Sequence, residues 1–169
     1  MGTDVKSTLD VAVKVVERET AIGVGSATSQ LVHALAFALA MANGTGSNQS
    51  DSVHSGTLSI SSATTLDTRG GLTSVLTGAA INFAEITWLI LVNKSATSGE
   101  YLTIGGGSNP VTTMWASSGD AAKIGPGGVL ILGSPIDGFA TTAGTGDIIT
   151  ITPATGTIEL DYILIGRSA

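Results

Sequence analysis

The sequence predicts an all-β protein, an antiparallel β-sandwich of jelly-roll type that carries an extended N-terminal strand or arm. Three observations lead there. Large apolar residues alternate with small or polar ones at the period of two that belongs to strands. Short β-branched runs recur about every ten residues from Ser55 onward, divided by Gly, Ser, Thr and Asn, which is the rhythm of a sandwich or barrel. Proline is missing from the interior of every predicted strand, where it would remove a ladder donor.

The first element is a strand in which Leu9, Val11, Val13 and Val15 alternate with Asp10, Ala12 and Lys14, the pattern of one wet and one covered face. A connection follows, Ile22-Gly-Val-Gly-Ser-Ala-Thr, whose glycines predict flexibility. Residues 31–42 are rich in Ala and Leu and so favour helix by propensity. Yet Leu31, His33, Leu35, Phe37, Leu39 and Met41 fall at every second position, and a helix would scatter them around its axis. The period predicts a strand, with a buried helix as the alternative.

Further strands are predicted at 57–62, 64–67, 81–92, 101–104, 111–115, 122–124, 129–133, 138–141, 147–152 and 157–165. The run Ile86-Thr-Trp-Leu-Ile-Leu-Val is apolar on both faces and belongs in the middle of a sheet. In the last strand Ile158, Leu160, Tyr162 and Leu164 are expected inside, with Glu159 and Asp161 outside. The turns Asn43-Gly-Thr-Gly, Gly105-Gly-Gly, Gly125-Pro-Gly-Gly and Gly144-Thr-Gly-Asp supply residues that reach positive φ cheaply. The predicted division is a strand or arm with its connection over 1–30 and a sandwich body over 31–169.

Charge narrows the function classes. Only 12% of the 169 residues are charged, against about 25% in ordinary domains, and 43% are hydrophobic. No charged residue occurs between Thr20 and Ser50. Surfaces poor in charge suit permanent contacts, because interface cores are depleted in it. The net charge is −6 and the seven basic residues are scattered, so there is no basic stripe to neutralise phosphates and nucleic acid is not an expected partner. Cysteine is absent, which removes disulfides and thiolate metal sites. The N-terminus lacks the blocks of a signal peptide, and the apolar run 31–42 is shorter than the roughly 20 residues of a membrane helix, so no membrane association is expected.

Candidate chemistry is sparse. His33 occupies a large-residue slot of an apolar strand and reads as a packed histidine. His54 lies among serines and Asp51, but no serine sits in a Gly-x-Ser-x-Gly nucleophile turn. Gly23-Val24-Gly25 lacks the third glycine and the βαβ context of a dinucleotide loop. Asp120, Asp137 and Asp147 lie in glycine-containing turns, where a lone Asp usually binds its own backbone and fits no calcium loop. The Asn-x-Ser/Thr triplets at Asn43, Asn48 and Asn93 are expected by chance in so Ser/Thr-rich a chain. Trp88 reads as core and Trp115 as core or rim. No cofactor and no metal is expected.

Several segments resemble a family of small virion structural proteins of tailed bacteriophages. They are Asn43-Gly-Thr-Gly-Ser-Asn-Gln-Ser-Asp, Leu58-x-Ile60 with Leu66-Asp67 and Gly71-Leu-Thr, Phe83-Ala-Glu-Ile with Leu89-Ile-Leu-Val, and Asp161-Tyr-Ile-Leu-Ile-Gly-Arg-Ser-Ala. Lys123-Ile-Gly-Pro-Gly-Gly-Val-Leu and Ala143-Gly-Thr-Gly-Asp are the most specific pieces, and the likeness covers about residues 31–169. The resemblance implies a virion component and supplies no catalytic residues.

A small, acidic, charge-poor β-protein of this kind is expected to be a capsid decoration or cement protein rather than an enzyme. It would bind the major capsid protein from the capsid exterior and associate with itself, a trimer being favoured. Val11, Val13 and Val15, with Leu35, Phe37 and Leu39, are the predicted interaction residues. A tail-tube protein, a head fibre or carbohydrate-binding component, and a hydrolase are the alternatives.

Overall fold

The structure, a computed structural model, describes residues 7–20, 28–74 and 77–169. Among them it is all-β, with antiparallel sheets, one 3-10 turn and no α-helix. The strands in chain order are β1 (Ser7–Thr20), β2 (Thr28–Met41), β3 (Ser52–Ile60), β4 (Thr64–Asp67), β5 (Leu72–Thr73), β6 (Ala80–Ile81), β7 (Phe83–Asn93), β8 (Leu102–Gly105), β9 (Ala121–Ile124), β10 (Val129–Gly133), β11 (Phe139–Ala140), β12 (Ile148–Pro153) and β13 (Ile158–Ser168).

One sheet runs β10-β7-β13-β3, with β11 also on β7, and a second runs β4-β12-β8-β9. Their inner faces share a single apolar core. Phe83, Ile86, Leu89 and Leu91 of β7 and Ile158, Leu160 and Leu164 of β13 meet Leu102 and Ile104 of β8 and Ile149 and Ile151 of β12. All are buried. The expected alternation in the last strand is present, since Ile158, Leu160, Tyr162 and Leu164 are inside while Glu159 is exposed and Asp161 half-buried. β7 is central, paired with β10 on one side and β13 on the other, which is why its apolar run has no polar alternation.

The pairing of β13 with β7 shifts register twice, between Ile165 and Gly166 and between Arg167 and Ser168. Ile165 faces Trp88, but Gly166 faces Ile86, so Thr87 is the extra residue of a bulge. Thr87 is buried, and its hydroxyl donates to the Ile165 carbonyl at 3.0 Å. Glycine is required at 166 because a Cβ there would lie 2.2 Å from the Glu85 carbonyl oxygen. Beyond the bulge, Arg167 is buried.

The segment expected as a strand at 111–115 is instead a 3-10 turn, Thr112–Met114. Val111 and Met114 are the buried residues and Thr112 and Thr113 the exposed ones. That spacing of three matches the 3-10 period, and Met114 N–H donates to the Val111 carbonyl at 3.2 Å. The helix alternative for 31–42 is excluded, because this stretch forms most of β2. The glycine-rich connection at 21–27 lies outside the described residues.

Candidate functional site

β1 and β2 form a two-stranded antiparallel ribbon that belongs to neither body sheet. Its ladder is unbroken from Ser7 opposite Met41 to Thr20 opposite Thr28. At about 3.3 Å per residue the ribbon extends roughly 45 Å. The register brings the predicted interaction residues together. Val11 stands opposite Phe37, Val13 opposite Leu35, Leu39 opposite Leu9, and Val15 opposite His33. The large-residue positions of one strand therefore meet those of the other, whereas a slip by one residue would set them against Ala34, Ala36 and Ala38. Among the described residues, β1 and β2 make their extensive contacts only with each other. Two-stranded ribbons are at best marginally stable in water without a covering surface.

The root of the ribbon is firmly tied to the body. Met41 is buried in a small cluster with Trp88 of β7 and Ile165 of β13, on the opposite side of the sheet from the main core. The loop after it is closed by Ser50 N–H on the Ala42 carbonyl (3.0 Å) and by Gln49, whose side-chain oxygen accepts from Gly46 N–H (2.8 Å). Asn48, at a positive φ of 57°, donates its N–H to the Pro135 carbonyl at 2.8 Å. Asp51 accepts from the Ser168 amide (2.7 Å) and hydroxyl (2.5 Å).

Arg167 joins these parts. Its guanidinium pairs with Glu85 and donates to the carbonyls of Pro135 (2.6 Å), Ile136 (3.0 Å) and Gln49 (3.3 Å). The planar fork of donors suits such a multiple clamp, which a lysine could not reproduce. Sequence reasoning missed Arg167 as an anchor. The available signal was a cation placed two residues beyond the apolar alternation of the last strand, immediately after a glycine.

His54 Nε2 and the Tyr162 hydroxyl are hydrogen-bonded at 2.8 Å, and burial raises the Tyr162 pKa above its ordinary value. Asp147 is buried and accepts the Gly144 amide at 2.5 Å, closing its own turn. Asp120 and Asp137 are exposed and apart from it in the chain. Among the described residues no group of three or more His, Asp or Glu is placed to hold a metal. Asn93 is fully buried, with its side chain hydrogen-bonded to the carbonyls of Glu100 and Ile124 and to the Ser95 amide, so it is a structural residue. Trp88 is buried but outside the main core, and Trp115 is packed half-buried at the edge of that core. Gly23-Val24-Gly25 lies outside the described residues, and no helix among them is long and apolar enough to cross a membrane.

The described residues present a long ribbon that pairs with no third strand among them, and the loop after its root is held by the buried Arg167. Comparison with protein-family models, with curated proteins and with solved structures returns no match to this chain.

Proposed function

We propose that this protein is a virion structural component, a capsid decoration or cement protein whose β-sandwich body, of jelly-roll type, sits on the capsid exterior. In this reading the β1–β2 ribbon is the N-terminal arm that engages the major capsid protein. The observation that carries the reading is the ribbon itself, a 14-residue ladder that, among the described residues, forms a sheet of its own and is anchored at its Met41 end. A chain that spends so much of its length on such an element needs a partner to cover it. The absence of charge between Thr20 and Ser50 supports a covered β2, while β1 carries Asp10, Lys14, Glu17, Arg18 and Glu19. The resemblance of residues 31–169 to phage virion proteins supports the setting.

Cementing follows from simple energetics. Apolar area removed from water stabilises by about 25 cal/mol per Å², and repetition around a shell multiplies a modest contact. A reconstruction of the particle tests the reading. The expected density places the body outside the shell with the ribbon lying on capsid subunits, and density inside the tail tube would overturn it in favour of a tail-tube protein.

A further inference from the structure

We infer that the free edge of β10 is a two-fold self-association site, at which β10 of one copy pairs antiparallel with β10 of a second copy, centred on Ile131. The inference concerns the body and does not rest on the virion reading.

β10 ends its sheet, with β7 on one side and no strand on the other among the described residues. Native edges are usually guarded by charge, proline or a bulge. The second sheet follows that practice, with Asp67 in its edge strand β4 and Lys123 in its edge strand β9. β10 is Val-Leu-Ile-Leu-Gly and has none of these devices.

The backbone is set for pairing. Asn93 N–H donates to the Gly128 carbonyl and Ser134 N–H to the Thr87 carbonyl, both at 2.9 Å. These bonds bracket β10 and fix which of its residues spend their polar groups on β7. In an antiparallel ladder hydrogen-bonded positions alternate, so the even-numbered residues face β7. Val129, Ile131 and Gly133 then direct their N–H and C=O groups to the empty side. A two-fold axis through Ile131 sets Ile131 against Ile131 of the second copy and Val129 against Gly133, each pair exchanging two backbone hydrogen bonds. The sequence is symmetric about that axis, because Leu130 and Leu132 flank Ile131 and come opposite each other.

The side chains agree with the backbone. Ile131 is aligned with Ile90 of β7 and then Ile163 of β13, a row of isoleucines across three strands. Ile131 is 37% exposed, Ile163 38% and Val129 57%. The two-fold pairing doubles the row to span six strands of one continuous sheet and covers the apolar edge that each copy exposes. The other edge of the same sheet, β3, has exposed Val53 but no such symmetry, with Gly56 in its middle.

The chain has no cysteine, so one can be introduced cleanly. Opposed Cα atoms of a hydrogen-bonded antiparallel pair lie about 5.5 Å apart, within disulfide range. The expected result is that Ile131→Cys forms a covalent dimer under mild oxidation, whereas Val53→Cys on β3, at similar exposure, does not. Sedimentation of the full chain should show that Ile131→Lys halves the mass of the assembly, with an unchanged far-ultraviolet circular dichroism spectrum. A monomeric parent protein, an assembly of unchanged mass with a folded Ile131→Lys, or cross-linking through Val53→Cys instead of Ile131→Cys would overturn the inference. If Ile131→Lys does not fold, the cross-linking pair decides.

Discussion

Arg167 and Glu85 form an ion pair in which the arginine side chain is 5% exposed and the glutamate 33%. The buried partner is the more demanding one, since it also holds three carbonyls from two separate loops. Arg167→Ala removes the donor to the Gln49 and Ile136 carbonyls and to Glu85, while the Pro135 carbonyl keeps the Asn48 N–H. Breaking one side of a buried pair typically costs about 3–5 kcal/mol. Chemical denaturation is expected to show a loss of that size for Arg167→Ala and a smaller one for Glu85→Gln, whose amide oxygen still accepts. Equal losses would show that the carbonyl contacts contribute little.

Gly166 and Gly119 make a matched pair for a backbone test. A Cβ at 166 runs into the Glu85 carbonyl at the bulge, while one at 119 meets nothing within 4 Å. Overpacking of this kind costs roughly 1–3 kcal/mol, so Gly166→Ala should lower the unfolding midpoint clearly. Gly119→Ala should leave it unchanged or raise it slightly by stiffening the unfolded chain.

Leu160 and Ile163 lie on opposite faces of β13. Leu160 is fully buried in the shared core and Ile163 is 38% exposed. Leu160→Ala should destabilise by about 2–5 kcal/mol. Ile163→Ala should change stability by far less, and comparison of the two in denaturant checks which face of the sheet is the core.

Tyr162 gives the protein an alkaline limit. Its folded pKa lies above the unfolded value of about 10 because burial disfavours the phenolate. The folded state therefore holds the proton more tightly, its contribution is complete below pH about 10, and stability falls as pH rises beyond that. Tyr162→Phe removes the titrating group, and melting curves between pH 9 and 11 should show a shallower decline for it than for the parent.

The ribbon and the body should come apart in a deletion. β1 and β2 contribute no strand to either body sheet. A chain that begins at Met41 keeps the cluster with Trp88 and Ile165 and should unfold cooperatively with a midpoint close to that of the whole protein. Loss of the body fold on this deletion would mean that the ribbon packs on the sheets after all.

Much of the fold was legible because period two is a strong signal wherever one face is covered. The strands at 64–67 and 129–133 were placed with the bounds they have, and the alanine-rich 31–41 read correctly as strand against its helical propensity. Reading failed where the period was three over only four residues, at Val111 to Met114, and where strands were two residues long, as in β5 and β6. The ribbon residues were picked from their alternation, but their pairing with one another was not, because register depends on the partner strand. The arginine clamp was invisible for a related reason. Its acceptors, Gln49, Glu85, Pro135 and Ile136, are brought to Arg167 only by the finished sheet.

The position of β13, the last strand of the sheet order to be made, governs the timing of the fold. It lies between β3 and β7 and bonds to both, so the larger sheet is two fragments until β13 has been synthesised. The ribbon needs only neighbours in the chain and closes first, since local contacts form faster than distant ones. During synthesis each chain therefore presents a marginally stable ribbon beside an unfinished body, a state prone to sticking to its siblings. Many chains made close together would meet in that state, and folding and association would then run as a single coupled process rather than as successive steps.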